Sequence, residues 1–161
     1  MKKNSRTAQS RSGRKLRTSP ATALRLKDTT WLVDTHHLEV DGQESQWLVC
    51  WIDLPTGLIV GWALREEMHI ASPIWESFLQ AAVVHGLPSR VIMDERRKTT
   101  NCQISAFGIR VDTDTFSGRR KSLERFFLNC EEYCRESELA QVDIHAAVAN
   151  FIAAHNAKLR P

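Results

Sequence analysis

Three acids stand where acids are hard to place. Asp34 interrupts the apolar run Trp31-Leu32-Val33, Asp94 follows Val91-Ile92-Met93, and Glu124 lies beside the apolar stripe of a helical segment, about 100° from Leu123 on a helical wheel. A carboxylate in such surroundings destabilises the fold unless it is paired or binds a metal. Three carboxylates converging on one sheet edge supply hard oxygen ligands for two divalent ions and leave positions open for phosphate and water. The corresponding chemistry is in-line displacement at phosphorus, with an activated hydroxyl attacking and a stabilised oxygen leaving. The competing reading is that a domain rich in acids places some of them near strand ends without purpose. Two basic clusters flank these acids: Arg96-Arg97-Lys98 after Asp94, and Arg119-Arg120-Lys121 with Arg125 around Glu124. Such clusters neutralise backbone phosphates without reading bases, or else they are simply solvated charge.

The elements that must position these residues follow from turn signals and periodicity. Thr29–Val40 is β-branched and aromatic and stops at Asp41-Gly42, a hairpin signal. Glu44–Leu54 resumes as a strand, Pro55-Thr56-Gly57 turns, and Leu58–Arg65 forms a third, giving an antiparallel meander. Ser72-Pro73 reads as an N-cap with proline at the first helical position, and Gly86 with Pro88 ends the helix after His85. Arg90–Asp94 follows as a short strand that a helical crossover must lay parallel in the same sheet. A short helix over 101–107, a strand over 109–115, a helix over 121–136 introduced by Ser117-Gly118, and a last helix over 141–157 complete the order βββ-α-β-α-β-α-α. The expected fold is therefore α/β, a mixed five-stranded sheet flanked by helices.

Charge divides the chain. It carries 22 Lys and Arg against 19 Asp and Glu, a net charge of +3. Nine of the basic residues (Lys2, Lys3, Arg6, Arg11, Arg14, Lys15, Arg17, Arg25 and Lys27) fall in residues 1–27, which hold no acid; residues 28–161 carry 13 basic and 19 acidic groups. Residues 1–27, rich in Ser, Thr, Lys and Arg, read as a disordered basic arm suited to nucleic acid, and residues 28–161 as one domain. No run approaches the roughly 18 apolar residues of a membrane span, and no secretory signal is visible, so a soluble, intracellular protein with no membrane partner is expected. The four cysteines lack zinc-site spacing and read as free thiols. Glycine-rich phosphate loops, GxSxG, HExxH and CxxC are all missing, which removes the usual support for several enzyme classes.

Of the remaining polar residues, His36 shares the Asp34 face by strand alternation and His37 does not. His36 is read as a satisfied polar histidine. The five tryptophans are read as core and sheet-face packing, and Asp112 and Asp114 as solvent-facing, with either able to replace Glu124 if the helix lies elsewhere.

The phrases WLVDTHHLEV…WLVCWIDLPTGLIVGWAL, HGLPSRVIMD and GRRKSLERFF, in that order, resemble the catalytic core of the DDE integrases and transposases of the retroviral-integrase and Mu-transposase type. The resemblance spans about residues 30–161 and ends in FIAAHNAKLRP, similar to the family's closing YNxxRPH-like phrase. It implies the ribonuclease H-like fold, Asp34, Asp94 and Glu124 as catalytic metal ligands, two Mg²⁺ or Mn²⁺ ions, and DNA nicking and strand transfer in recombination or transposition. It also implies a homo-oligomer on DNA, placed in the cytoplasm with the nucleoid, and matches Asp53 to the family's non-catalytic Asp. The chain departs from the pattern in reading Asp94-Glu95-Arg96 where Asp-Asn-Gly is usual, and Thr56-Gly57 in place of Ser-Arg. The Asp94–Glu124 interval is shorter than usual, and the flanking DNA-binding modules are not found. These departures motivate one alternative, a catalytically silent or truncated core that binds DNA or a transposition partner; a simple ribonuclease H-like nuclease acting on RNA–DNA hybrids is a third reading, against which the stronger match to integrase phrases counts.

Overall fold

The computed structural model describes residues 26–40, 43–66, 71–94, 98–113, 120–139 and 142–160. The expected order is observed: β1 (Leu26–Leu38), β2 (Gln46–Asp53), β3 (Ile59–Arg65), α1 (Ala71–His85), β4 (Leu87–Met93), α2 (Lys98–Ser105), β5 (Arg110–Thr113), α3 (Arg120–Leu139) and α4 (Ile144–Leu159). The five strands form one mixed sheet in the order β3-β2-β1-β4-β5. The meander pairs antiparallel, while β4 lies parallel to β1 and β5 parallel to β4, as crossover connections through helices require.

Strand alternation sorts the core into two layers. Leu32, Cys50, Ile52 and Ile92 face α3 and α4, whereas Trp31, Val33, Val49, Trp51, Val91 and Met93 face α1 and α2. In the second layer Trp31, Trp51 and Phe78 meet with centroids 5.3 to 6.4 Å apart. The Trp51 indole N–H donates to the Ser77 hydroxyl at 3.0 Å, so the buried ring leaves no donor unmet. Gly61 of β3 admits α1 to this layer. A Cβ there would stand 2.8 Å from both the Ser77 carbonyl and the Ala81 methyl.

Local chemistry sets the element ends, sometimes differently from expectation. Between β2 and β3, Gly57 takes φ 75° and donates its N–H to the Asp53 carbonyl at 2.7 Å; the Thr56 hydroxyl donates to the buried Asp53 carboxylate at 2.6 Å. α1 starts at Ala71, so Ser72 is not its cap: its hydroxyl donates to Glu76 at 2.7 Å inside the first turn, and Glu76 is also gripped by Arg65. The helix ends as expected at Gly86, φ 81°. β4 then begins at Leu87 and includes Pro88, beside an irregularity between Lys27 and Thr30 of β1, where a missing N–H is tolerated. β1 accordingly starts at Leu26, so Leu26 and Lys27 belong to the sheet. α4 starts at Ile144, where Asp143 accepts from the Ala146 N–H at 3.1 Å. The expected turn residues Asp41-Gly42 and Ser117-Gly118 lie outside the described residues, as do Asp114 and residues 1–25.

Candidate active site

Register brings the first two acids together. Leu32 of β1 is aligned with Ile92 of β4, and both face α3 and α4. Carrying that parallel register two residues onward sets Asp94, just past the end of β4, beside Asp34 on the same face. Asp34 is half-buried and its carboxylate accepts the Thr35 N–H at 2.9 Å. Across the antiparallel pair it faces Cys50. Burial, and after it the Asp34 charge, holds that thiol well above its ordinary value of 9.0. Asp94 is also half-buried.

The third acid is located by contacts further along α3. Arg135 reaches the Glu39 carbonyl at 3.4 Å, Glu131 binds the His36 ring nitrogen Nε2 at 2.7 Å, and Phe127 stacks on the His36 ring with centroids 5.2 Å apart and planes 11° apart. These contacts rise in the same order along both elements, so α3 runs parallel to β1. Two turns back from Glu131, about 10 Å, the same ridge carries Glu124. In β1 that distance is about three residues, which sets Glu124 abreast of Val33 and Asp34. Its side chain is exposed.

His36, Glu131, Arg135 and Phe127 thus form a clamp between β1 and α3. Glu131 is 13% exposed and holds His36 with one oxygen and Arg135 with the other. His36 is the satisfied polar histidine expected from the sequence. Its partner lies 95 residues away, and nothing short of the fold reveals the pairing. His37, on the other side of the strand, pairs with Glu39 at 3.1 Å and rests on Trp47.

By register Asp34 and Asp94 fall on one sheet face, and by the rise along α3 Glu124 lies on the helix over that face at about their level. Their donor chemistry, hard anionic oxygen, suits Mg²⁺ or Mn²⁺. Among the described residues, however, no three His, Cys, Asp or Glu side chains are gathered into a group that could hold a metal ion. Of the flanking cations, Lys121 and Arg125 are exposed on the first turns of α3. Lys98 and Arg120 are described for their backbone alone, and Arg96, Arg97 and Arg119 lie outside the described residues.

Asp112 departs from its expected solvent-facing role. It is half-buried on β5, where the β4–β5 register sets it opposite Ile92 and between two guanidinium groups, those of Arg90 and of Arg110, the latter at 2.9 Å. Burial alone would raise its carboxyl, but the two arginines outweigh that and hold it below its ordinary 3.8. The cysteines are free thiols as expected, with Cys50, Cys130 and Cys134 buried. Among the described residues no helix is long and apolar enough to cross a membrane.

No family model and no curated protein matches this sequence. Solved structures do match its fold. The catalytic core of HTLV-2 integrase in complex with magnesium, in its dimeric form, superposes with a TM-score of 0.63 at 16% identity, over 79% of this chain and 85% of that one. The BIV integrase catalytic core gives 0.58 at 13% identity, over 80% and 83%. The simian T-cell lymphotropic virus intasome in complex with PP2A regulatory subunit B56 gamma gives 0.62 at 17%, over 79% of this chain and 48% of that one. The mixed five-stranded sheet with its flanking helices is thus the ribonuclease H-like fold of retroviral integrase catalytic cores.

Proposed function

We propose that the chain is a DDE-type polynucleotidyl transferase core that nicks DNA and joins strands in recombination or transposition. What supports this reading most is the fold of an integrase catalytic core in which register and helix rise bring Asp34, Asp94 and Glu124 to about one level. Asp34 comes from β1, Asp94 from just past the end of its parallel neighbour β4, and Glu124 from α3, the helix clamped to β1. These three residues would hold Mg²⁺ or Mn²⁺, and the ion would supply Lewis acidity at the scissile phosphorus and lower the pKa of the attacking hydroxyl. The protein's own share is to align the strand: Lys121 and Arg125, with the clusters Arg96-Arg97-Lys98 and Arg119-Arg120, neutralise backbone phosphates, and the basic arm holds the duplex. Assembly as a homo-oligomer on DNA belongs to the same reading; the HTLV-2 core was solved in dimeric and trimeric forms.

The test is nicking of supercoiled plasmid with Mg²⁺ or Mn²⁺. The intact chain nicks and Asp34→Asn does not, a loss of at least about a hundredfold if an essential ligand is removed. Equal nicking by both proteins sinks the assignment. A second reading, a catalytically silent core that binds DNA, is favoured by one observation: the described carboxylates are not gathered into a ligand group. It predicts no heat of Mn²⁺ binding beyond that of the DNA alone in calorimetry of the intact chain with DNA, where the first reading predicts an excess that Asp34→Asn removes.

A further inference from the structure

Among the described residues, the helices over the face of Asp34 and Asp94 lie mainly on its meander side. α3 packs on β1 and α4 on α3 and β3, whereas β4 meets α1 and β5 meets α2 from the opposite side. Ile92 of β4 is buried in the layer that faces α3 and α4, but alternation puts Arg90 and Asp94 on its side of the strand, and the register sets Arg110 beside Arg90 and Asp112 beside Ile92. The result is a shelf of two guanidinium groups around one carboxylate, with a net charge of one positive.

The shelf is built rather than incidental. Asp112 is 21% exposed and binds both arginines, which fixes the planes of the two forks; Arg90 remains 37% and Arg110 73% exposed. The carboxylate stays ionised at neutral pH, so the arrangement persists wherever DNA is bound. A guanidinium held by one edge keeps its other N–H groups for a second acceptor, and planar pairing with phosphate is the geometry arginine serves best. Arg90 lies four residues before Asp94 on the same side of one strand, about 13 Å. That is about four steps of duplex rise from the acids, within one turn of a bound helix.

We propose that Arg90 and Arg110 form a phosphate-binding shelf that receives the DNA backbone as it leaves the Asp34–Asp94–Glu124 face. The inference rests on DNA being the substrate, and it adds a contact made by the sheet itself to those of the loops and α3. Asp112 is a positioning residue in this arrangement, since it acts through the arginines.

The experiment measures binding of the full chain to a short labelled duplex in EDTA over a series of KCl concentrations. Without metal no cleavage occurs, so the reading is independent of catalysis. Arg110→Gln and Arg90→Gln each lower the slope of log affinity against log salt by about one, and the double variant by about two. Asp112→Asn keeps both guanidinium groups and removes the shelf's one negative charge, so it does not lower the slope. Lys158→Gln, which removes an exposed cation from the end of α4, leaves the slope unchanged. Circular dichroism establishes that each variant is folded. An unchanged slope in both arginine variants overturns the shelf, as does an equal fall in Lys158→Gln or a lack of duplex binding by the unsubstituted chain. Plasmid nicking is scored separately: absence of nicking by the unsubstituted chain, or equal nicking by Asp34→Asn, with the slope effect intact refutes the catalytic reading and leaves the shelf standing.

Discussion

The two faces of the sheet are built to different rules. Beneath α1 and α2, the layer of Trp31, Trp51, Phe78, Ile74 and Met93 is apolar almost throughout, and the Ser77 hydroxyl within it is consumed internally. Between β1 and α3, apolar residues share the surface with Asp34, His36 and Glu131, and β4 and β5 add Arg90 and Asp112. The first face can exclude water completely, which makes it a foundation. The second must keep ionised groups near solvent, so the cohesion it gives up in packing is recovered by charged hydrogen bonds spanning separate elements. A single sheet thus separates holding from acting, because alternate residues of each strand are independent in which side they serve.

That contrast can be broken by substitution. The largest effect falls on the apolar face: Phe78→Ala removes a fully buried ring from between Trp31, Trp51 and Trp75 and lowers unfolding free energy by about 3–5 kcal/mol, read from urea denaturation. If instead Phe78→Ala were mild, α1 would not be the foundation described. A smaller loss, about 1–2 kcal/mol, follows His36→Ala, which leaves Glu131 without its ring partner. Its diagnostic sign is local. Amides of α3 exchange faster with solvent while those of α1 do not, and uniform acceleration would show that the two faces are not independent.

The smallest effect sharpens the comparison at the rim of the apolar face. Burial, followed by the charges of Lys27 and Arg160, holds His85 below its ordinary value of 6.5. The unfolded chain therefore binds a proton at pH values where the folded chain resists it. The stability contributed is full above about 6.5 and is lost as pH falls through that value toward the lower folded one. The urea midpoint drops on going from neutral to mildly acidic pH, and His85→Gln makes that drop shallower. A midpoint with the same pH dependence in both proteins would remove His85 from the account.

Much of this architecture can be read along the chain because the signals are local. Gly57 and Gly86 stop elements where backbone with positive φ is needed, and alternation in β1 correctly pairs His36 with the Asp34 face. What escapes is whatever two distant segments decide together. Leu26 and Lys27 look like the tail of a basic arm until β4 offers them a partner. Asp112 looks solvent-facing until the register sets Arg90 and Arg110 around it. Ser72 looks like a cap until Glu76 takes its hydroxyl. The level shared by Asp34, Asp94 and Glu124 has the same origin, since it depends on a parallel register and on a clamp between residues 36 and 131.

At the outer edge of the meander, the Asn156 side chain of α4 accepts the Ile59 N–H at 2.9 Å and donates to the Ile59 carbonyl at 2.8 Å. An amide side chain there answers both backbone groups as a neighbouring strand would, so the ladder meets a stopper of one residue's width in place of another chain. Filament growth by edge-to-edge addition is obstructed at its first rung, and the last helix, whatever else it supports, acts as a guard against self-templating.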